Sequence, residues 1–279
     1  MFKVMKASSY VEKRATWPGF FQPKYDGIRC LHNVNETWTR NLKPHKDHIR
    51  EWLLSMETEQ PDNWTLDGEL MLPRDRFTFQ DTVSVVKKFN ENIQYLEYHP
   101  YDYVPDRGDA YLGTCPFDRR MVDLGTLNYS DSLVPVPTYN VADAAEFDAY
   151  CRQYIDAGWE GGIYRSACSE YLHGSSGRNL MKYKEFLDSE YTIIAVWEGE
   201  GKFEGCAVLR FARPDYVEGE EVTKKNSFGA TFPGKIIRKK IAWECRDILM
   251  GKEVTLKYQE LTDDGVPRFP VALEVRDYE

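Results

Sequence analysis

The chain has 279 residues, of which 42% are apolar and 29% charged, and its net charge is −9 at pH 7. This length and apolar fraction suffice for one large or two modest packed domains, and no apolar run is long enough to cross a membrane. Six scattered cysteines without a Cys-x-x-Cys pair argue against structural zinc and a disulfide framework, and they predict a reduced, cytoplasmic setting. The acidic balance disfavours nucleic-acid binding, although a local basic patch can bind phosphates on an acidic protein.

The first segment with chemical potential is Gln22-Pro23-Lys24-Tyr25-Asp26-Gly27-Ile28-Arg29, which follows an aromatic cluster. A neutral lysine amine can attack a phosphorus or carbonyl centre and hold the product covalently. Because an ordinary lysine has a pKa of about 10.4, such a nucleophile needs nearby cations, a metal ion or burial to lose its proton. The segment therefore predicts further cations and metal-binding acids elsewhere in the chain. A charged surface turn is the alternative interpretation.

The following residues alternate between strand and helix patterns. Strands are predicted over 30–39, 65–72, 95–104, 161–165 and 180–184. Helices are predicted over 45–57, 74–89, 117–127 and 141–157. Because residues two apart on a strand face the same side, Lys182 and Lys184 are predicted to point into one cleft.

The pattern changes at Asp188, where we place a boundary between domains of 1–187 and 188–279. Strands are predicted over 191–197, 206–211, 253–259 and 266–275. The helix between the second and third of these is predicted to bury Ile236, Ile237, Ile241, Cys245 and Leu249. Short strands with one inserted helix indicate a small Greek-key barrel of the OB type.

Basic residues are concentrated in the second predicted domain. The segment 224–240 contains no acid and six cations, with Phe228 and Phe232 interleaved. The six are Lys224, Lys225, Lys235, Arg238, Lys239 and Lys240. Because this local charge opposes that of the whole chain, it predicts a patch for the DNA backbone. A solvated loop and helix face is the alternative.

Several of these segments resemble motifs of the covalent nucleotidyltransferase superfamily, which contains ATP-dependent DNA ligases, RNA ligases and messenger-RNA capping guanylyltransferases. Lys24-Tyr25-Asp26-Gly27-Ile28-Arg29 resembles its nucleotidyl-lysine motif. Four later segments resemble further motifs of the superfamily in the expected order. They are Leu66-Asp67-Gly68-Glu69, Tyr101-Asp102, Glu160-Gly161-Gly162-Ile163 and Leu180-Met181-Lys182-Tyr183-Lys184. The segment 267–277 resembles the last motif of ATP-dependent DNA ligases, but the chain ends before that motif's final lysine.

The resemblance implies roles for individual residues. Lys24 would be the nucleophile, and Glu69 and Glu160 would hold Mg²⁺, with Glu69 also near the nucleotide ribose. Lys182 and Lys184 would contact the triphosphate.

The resemblance also implies nucleotide and DNA contacts outside that group. Tyr101 would stack on adenine, and Gln22 matches a position that recognises the purine edge, although relatives often carry glutamate there. Arg29 would also bind the nucleotide. Thr39-Arg40-Asn41 resembles a turn whose arginine binds the 5′-phosphate of a nick, and Arg276 would orient the leaving pyrophosphate.

The fold implied by the resemblance is α+β. It comprises an ATP-grasp-like nucleotidyltransferase domain with antiparallel sheets and flanking helices, followed by a small OB-fold β-barrel. With no further domain expected ahead of Lys24, the chain resembles minimal two-domain viral or bacterial ligases.

The implied function is ATP-dependent sealing of nicks in duplex DNA. In this reaction AMP passes from Lys24 to the 5′-phosphate, and the 3′-hydroxyl then attacks. The enzyme would use ATP and Mg²⁺ and act as a monomer in the cytoplasm of a bacterium or virus-infected cell, in DNA replication, repair or recombination. An RNA ligase or capping guanylyltransferase remains the alternative within the superfamily. A non-catalytic OB module that binds nucleic acid is the alternative from another class.

Overall fold

The computed structural model describes residues 3–56, 64–105, 115–127, 130–262 and 264–276. The chain divides into two compact units, Met1–Lys184 and Glu185–Glu279. The two units therefore meet between residues 184 and 185. The assignment of separate roles to domains of 1–187 and 188–279 stays a prediction. None of the helices in the described ranges has the length and apolarity needed to span a lipid bilayer.

The first unit contains two sheets, whose strands are numbered along the chain. The larger sheet has the spatial order β1 (Lys6–Ser9), β9 (Ser176–Lys184), β8 (Gly161–Ser166), β2 (Gly19–Pro23) and β7 (Tyr139–Val141). The β1–β9 pair is parallel and the other neighbours are antiparallel. In this register Pro23 pairs with Gly162, and Gly161 pairs with Lys184. The sheet therefore brings the segments around Lys24, Glu160 and Lys184 together.

The smaller sheet is antiparallel throughout. Its order is β4 (Thr37–Thr39), β3 (Ile28–His32), β5 (Trp64–Met71) and β6 (Glu97–Pro105). The single strand predicted over 30–39 is wrong, because two strands meet there at a turn. The turn is stabilised by Asn33, whose Oδ1 accepts hydrogen bonds from the N–H groups of Asn35 and Glu36.

Four α-helices flank these sheets. They are α1 (Asp47–Leu54), α2 (Phe79–Lys87), α3 (Phe117–Leu124) and α4 (Ala144–Asp156). The α2 helix begins later than predicted because Thr78 and Asp81 form a reciprocal capping box at its first turn. The α4 helix begins after Asp143, whose carboxylate accepts the N–H of Glu146, and the preceding Val141 belongs to a strand that was not predicted.

The helices bury apolar side chains against the sheets. Ile49 and Leu53 of α1 are fully buried against the smaller sheet. Phe147 and Cys151 of α4 are equally buried and pack with Phe21 of the larger sheet. Burying a large apolar side chain contributes about 1.5–3 kcal/mol, so these contacts hold the sheets around the site.

The second unit is built on five antiparallel strands. Their order is β12 (Ser227–Thr231), β11 (Ala207–Ala212), β10 (Leu187–Glu198), β13 (Glu253–Tyr258) and β14 (Val271–Val275). In the part of the chain that the structure describes, the first and last strands of this order are not hydrogen-bonded neighbours, so the sheet is open. The predicted basic loop contains a strand, β12, that was missed.

The buried face predicted for helix α5 (Ile236–Glu244) is largely wrong. Ile237 and Ile241 are 62% and 52% exposed, and Ile236 and Cys245 are also exposed. The helix instead buries Ala242, and the Nζ of Lys239 donates to Thr231 Oγ1 at 3.1 Å and to the Phe232 carbonyl. Phe228, predicted to lie between surface cations, belongs to the core of this unit. Leu249, which follows the helix, is buried as predicted.

Candidate active site

Lys24 lies directly after β2, at the point where β2 meets β8. Its backbone N–H donates to the Gly161 carbonyl at 2.9 Å. Its side chain is 21% exposed, and its Nζ forms an ion pair with Glu160 Oε2. The amine is therefore accessible to a ligand and is held against a carboxylate that the chain places next to it.

Glu160 holds a second lysine on its other oxygen. Lys184 Nζ lies 2.6 Å from Glu160 Oε1. Burial opposes ionisation of Glu160, but the Lys24 and Lys184 ammonium groups outweigh this and hold its pKa below the usual range. Burial, and then the charge of Lys24, lowers the pKa of Lys184. The three side chains form a compact cluster of alternating charge.

Lys182 and Lys184 both belong to β9, but only one of them contacts Glu160. Lys182 is exposed, and its positive charge contributes to lowering the pKa of Lys184. The predicted pair thus consists of one lysine bound in the cluster and one exposed lysine within electrostatic range of it.

Glu69 faces the same region from the smaller sheet. A methyl group added at Gly27 would lie 2.6 Å from Glu69 Cγ, so glycine permits the lysine segment to approach this carboxyl closely. Burial raises the pKa of Glu69 to about 8, with Asp67 and Glu160 adding to the rise and Lys24 and Arg29 opposing it. The positive charges of Lys24 and Arg29 therefore do not offset the effect of burial on the pKa of this carboxyl.

Glu69 and Glu160 fit the donor set of a magnesium site. Mg²⁺ prefers oxygen ligands and is usually held by one or two carboxylates together with substrate phosphates. The raised pKa of Glu69 indicates a carboxyl whose charged form a divalent cation would stabilise. Within the described ranges, no group of three or more histidine, cysteine or acidic side chains is placed to hold a metal ion.

Arg29 and Tyr101, both predicted to bind the nucleotide, are tied to one buried acid. The guanidinium of Arg29 makes a bidentate contact with Asp67, at 2.8 Å and 2.5 Å. The hydroxyl groups of Tyr101 and Tyr171 donate to the same carboxylate at 2.9 Å and 2.6 Å. Sequence reasoning assigned no role to Asp67, although its position two residues before Glu69 on β5 was a usable signal.

Gln22 is 1% exposed, and its amide is hydrogen-bonded within the protein. Its Nε2 donates to the Tyr101 carbonyl and to Thr138 Oγ1, each at 2.9 Å. Its Oε1 accepts from Arg165 Nε at 3.1 Å. The predicted contact with a purine edge stays a prediction, and the amide is oriented by these three partners.

Two further predicted residues belong to other segments of the chain. Arg40 is exposed on the turn after β4. In the second unit, Arg276 donates to Thr255 Oγ1 at 3.1 Å and to Glu190 at 3.3 Å. Asp277, the end of the predicted last motif, lies outside the described residues.

The six cations of the predicted basic patch differ in what they contact. Lys239 is hydrogen-bonded inside its unit, and Lys224 forms an ion pair with Glu200 at 3.3 Å. Five of the six are exposed, namely Lys224, Lys225, Lys235, Arg238 and Lys240. The exposed group is the part of the patch best placed to meet a polyanion.

Comparison with known proteins identifies the class. A family model described as an ATP dependent DNA ligase domain matches residues 3–184, and one described as a DNA ligase OB-like domain matches residues 238–276. The first match covers more than half of the chain, which therefore belongs to the ATP-dependent DNA ligase family. The predicted superfamily and the two-part fold are confirmed, and the second part is OB-like with an open sheet.

Individual relatives are distant in sequence. The DNA ligase of Haemophilus influenzae is 22% identical over 253 residues, which cover 88% of this chain and 82% of that protein. The DNA ligase of Methanosphaera stadtmanae is 25% identical over 196 residues, which cover 65% of this chain and 35% of that protein. The chain thus spans about a third of the length of that second relative.

Solved structures share the fold. A structure from a study of DNA binding by Lig E DNA ligases has a TM-score of 0.78 at 23% identity, covering 99% of this chain and 100% of that one. The DNA ligase-adenylate of Chlorella virus has a TM-score of 0.54 at 24% identity, covering 100% and 99%. At these identities the likeness concerns the fold alone.

Proposed function

We propose that this chain seals nicks in duplex DNA with ATP, through an AMP–lysine intermediate on Lys24. The observation that carries the proposal is the ion-pair cluster, in which Glu160 holds the ammonium groups of Lys24 and Lys184 on its two oxygens. A family model for ATP-dependent DNA ligases covers the unit that contains it. The cluster offers an accessible amine, an acceptor for its proton and cations for phosphate charge.

The first step is attack of the Lys24 amine on the α-phosphorus of ATP. The Lys24 ammonium must first lose a proton, and Glu160 Oε2 is the acceptor already in contact with it. The new bond joins Nζ to phosphorus, and the bond from that phosphorus to the bridging oxygen of pyrophosphate breaks. Lys184 and Lys182 stabilise the negative charge that builds on the phosphate oxygens.

Glu69 and Glu160 are the residues that would hold Mg²⁺. When bound, this ion neutralises phosphate charge and orients the phosphate chain. The protein's own contribution is to supply two carboxyl groups near the amine. Burial raises the pKa of one of them, Glu69.

Nucleotide recognition falls to residues around the Asp67 and Asp102 carboxylates. Tyr101 presents a ring held by its hydroxyl, and we assign it the contact with adenine. Arg29 and Gln22 complete that side of the site, since both are fixed by hydrogen bonds. Arg276 of the second unit is assigned to the pyrophosphate.

In the later steps AMP is transferred from Lys24 to the 5′-phosphate of the nick. The 3′-hydroxyl then attacks that phosphate, and AMP leaves. Arg40 is assigned to the 5′-phosphate, because it is exposed on a short turn of the first unit. The exposed cations of the basic patch are assigned to the DNA backbone. The active form is a single chain working in the cytoplasm in replication, repair or recombination, and all six cysteines are free, as a reducing compartment requires.

Charge reversal tests the DNA contact. Exchanging Arg238 and Lys240 for glutamate should weaken binding to nicked duplex and flatten its salt dependence, because each lost phosphate contact removes about 0.9 from the log–log slope. Reversing Lys87 and Lys88, exposed cations of α2 and its end, changes the net charge equally and should leave affinity nearly unchanged. Equal effects of the two pairs would remove the patch from the proposal.

An RNA ligase or a capping guanylyltransferase is the alternative within the class. The family model and the relatives, all described as DNA ligases, favour the DNA substrate. The deciding experiment incubates labelled nicked DNA or nicked RNA with ATP or GTP and magnesium, and follows joining. We expect joining of DNA with ATP. Joining of RNA alone, or a requirement for GTP, would overturn the assignment, and no reaction at all would favour a non-catalytic binding module.

A further inference from the structure

A stack of side chains lies directly beside the proposed reaction centre. Tyr25 follows Lys24 in the sequence, and Trp159 precedes Glu160. The rings of Tyr25 and Trp159 have their centroids 4.3 Å apart with 22° between their planes. The nucleophile and its carboxylate partner are therefore each one residue away from a ring, and those two rings pack face to face.

Arg74 adds a third segment to this stack. Its guanidinium carbon lies 4.2 Å from the centroid of the Trp159 ring, and its Nη2 donates to the Gly158 carbonyl. Arg74 follows β5, the strand that carries Glu69. Tyr25 also makes an edge contact with His99 of β6, at 4.9 Å between centroids. Tyr25 and Trp159 thus adjoin Lys24 and Glu160 in the chain, and His99, which pairs with Glu69 between β5 and β6, contacts Tyr25.

The stack lies where the sheet gives little support. Lys24 comes after the last residue of β2, and Glu160 comes before the first residue of β8. Gly158, just before Trp159, has a left-handed φ of 82°, which ends α4 and turns the chain toward the site. The backbone bond from Lys24 to Gly161 fixes the main chain there, while the stack fixes the neighbouring side chains.

We propose that Tyr25, Trp159 and Arg74 form a positioning clamp that holds the side chains of Lys24 and Glu160 in a fixed relative position for AMP transfer. This rests on the proposed function, because the clamp matters only if Lys24 is the nucleophile. Its members act through the residues that carry the amine and the carboxylate, which Tyr25 and Trp159 adjoin in the chain. Reacting groups must be held to a fraction of an ångström, and a displacement of about 1 Å can lower a rate by about a hundredfold.

The experiment measures single-turnover formation of AMP–lysine by intact mass, over a range of ATP concentrations with magnesium. Trp159→Ala should lower the rate at saturating ATP by about tenfold to a hundredfold, while the ATP concentration at half-maximal rate stays within about twofold. Trp159→Phe keeps a ring for stacking and should recover most of the rate. Tyr25→Ala and Tyr25→Phe should show the same contrast.

A matched control comes from another stack in the same unit. Phe77 and Tyr95 have ring centroids 5.6 Å apart, and Arg76 lies 5.0 Å from the Tyr95 ring, but none of these residues adjoins Lys24 or Glu160. Tyr95→Ala should leave the rate within about twofold, and circular dichroism and thermal unfolding show whether each variant is folded.

The outcomes separate the two proposals. If the wild-type chain forms AMP–lysine and Trp159→Ala forms it at the same rate, the clamp is wrong and the proposed function stands. A loss in Trp159→Ala that phenylalanine does not recover, or that Tyr95→Ala reproduces, also overturns the clamp, because it reflects general destabilisation. If the wild-type chain forms no AMP–lysine from ATP, both proposals fail.

Discussion

Two acids in the first unit each hold two cations, and they differ in almost everything else. Glu160 is 12% exposed and holds the lysines Lys24 and Lys184. Asp102 is fully buried and holds the arginines Arg120 and Arg165, each at 2.7 Å. Both sites have one negative and two positive charges. Only in the first are the cations accessible enough to release the acid and bind a substrate instead.

The difference lies in the cations and in their access to solvent. A lysine ammonium is a point charge that can give up its proton, whereas an arginine guanidinium stays charged and binds through a rigid fork. Around Asp102, burial alone would raise the pKa, but Arg120 and Arg165 hold it below its usual range. Arg120 also donates to the Cys115 and Ser169 carbonyls, at 2.6 Å and 3.0 Å. The arginine site is a structural support, and the lysine site is arranged for chemistry.

The largest effect on stability is expected at the arginine site. Asp102→Asn leaves two guanidinium groups buried without a counter-charge and should destabilise the first unit by about 3–5 kcal/mol. Denaturant unfolding measures this. The control is Asp264→Asn in the second unit, which removes an exposed partner of Arg213 and should cost at most about 1 kcal/mol. Similar losses for the two variants would contradict the structural role of Asp102.

The opposite pattern is expected at Glu160. Glu160→Gln removes the proton acceptor and the charge beside Lys24, so the rate of AMP–lysine formation should fall by about a hundredfold or more. Unfolding of the first unit should shift less than in Asp102→Asn, because the side chains of this cluster are 12–21% exposed whereas Asp102 is fully buried. A variant that is unfolded, or one that reacts at the wild-type rate, would erase the contrast between the two acids.

A smaller effect is expected from exchanging the type of cation. Arg165→Lys removes the forked contacts with Asp102 and Gln22 and should destabilise the first unit by about 1–3 kcal/mol, as a lost buried hydrogen bond does. Lys184→Arg retains a charge beside Glu160 and should leave unfolding nearly unchanged. Thermal unfolding of both variants measures the two losses of stability. A greater loss in Lys184→Arg than in Arg165→Lys would contradict the roles assigned to the two sites.

A further prediction is a pH dependence from Glu69, whose pKa is raised to about 8 from an ordinary 4.5. Between these two pH values the folded chain binds the proton more tightly than the unfolded chain. Stability should therefore fall as pH rises through this window. Glu69→Gln removes that contribution, so its stability should fall less over the same range without divalent cations. Parallel pH profiles of the two proteins would show that Glu69 titrates normally.

Much of the site followed from the sequence because its motifs occur in the order of the superfamily that the chain resembles. The alternation of 65–72 and the helical face of α4 predicted correct elements, and the order of motifs predicted that Lys24, Glu160 and Lys184 meet. Asp102 and Arg165 were not assigned their structural roles, because their pairing depends on strands distant in sequence. On α5, an apolar spacing predicted burial, but Lys239 reaches the end of β12 and turns the isoleucines outward.

The most direct measurement is the mass of the protein after incubation with ATP and magnesium, followed by peptide mapping. We expect a single added AMP on the peptide containing Lys24, lost on treatment with pyrophosphate and absent from a folded Lys24→Ala variant. AMP attached to another residue, or labelling that survives in Lys24→Ala, would contradict it.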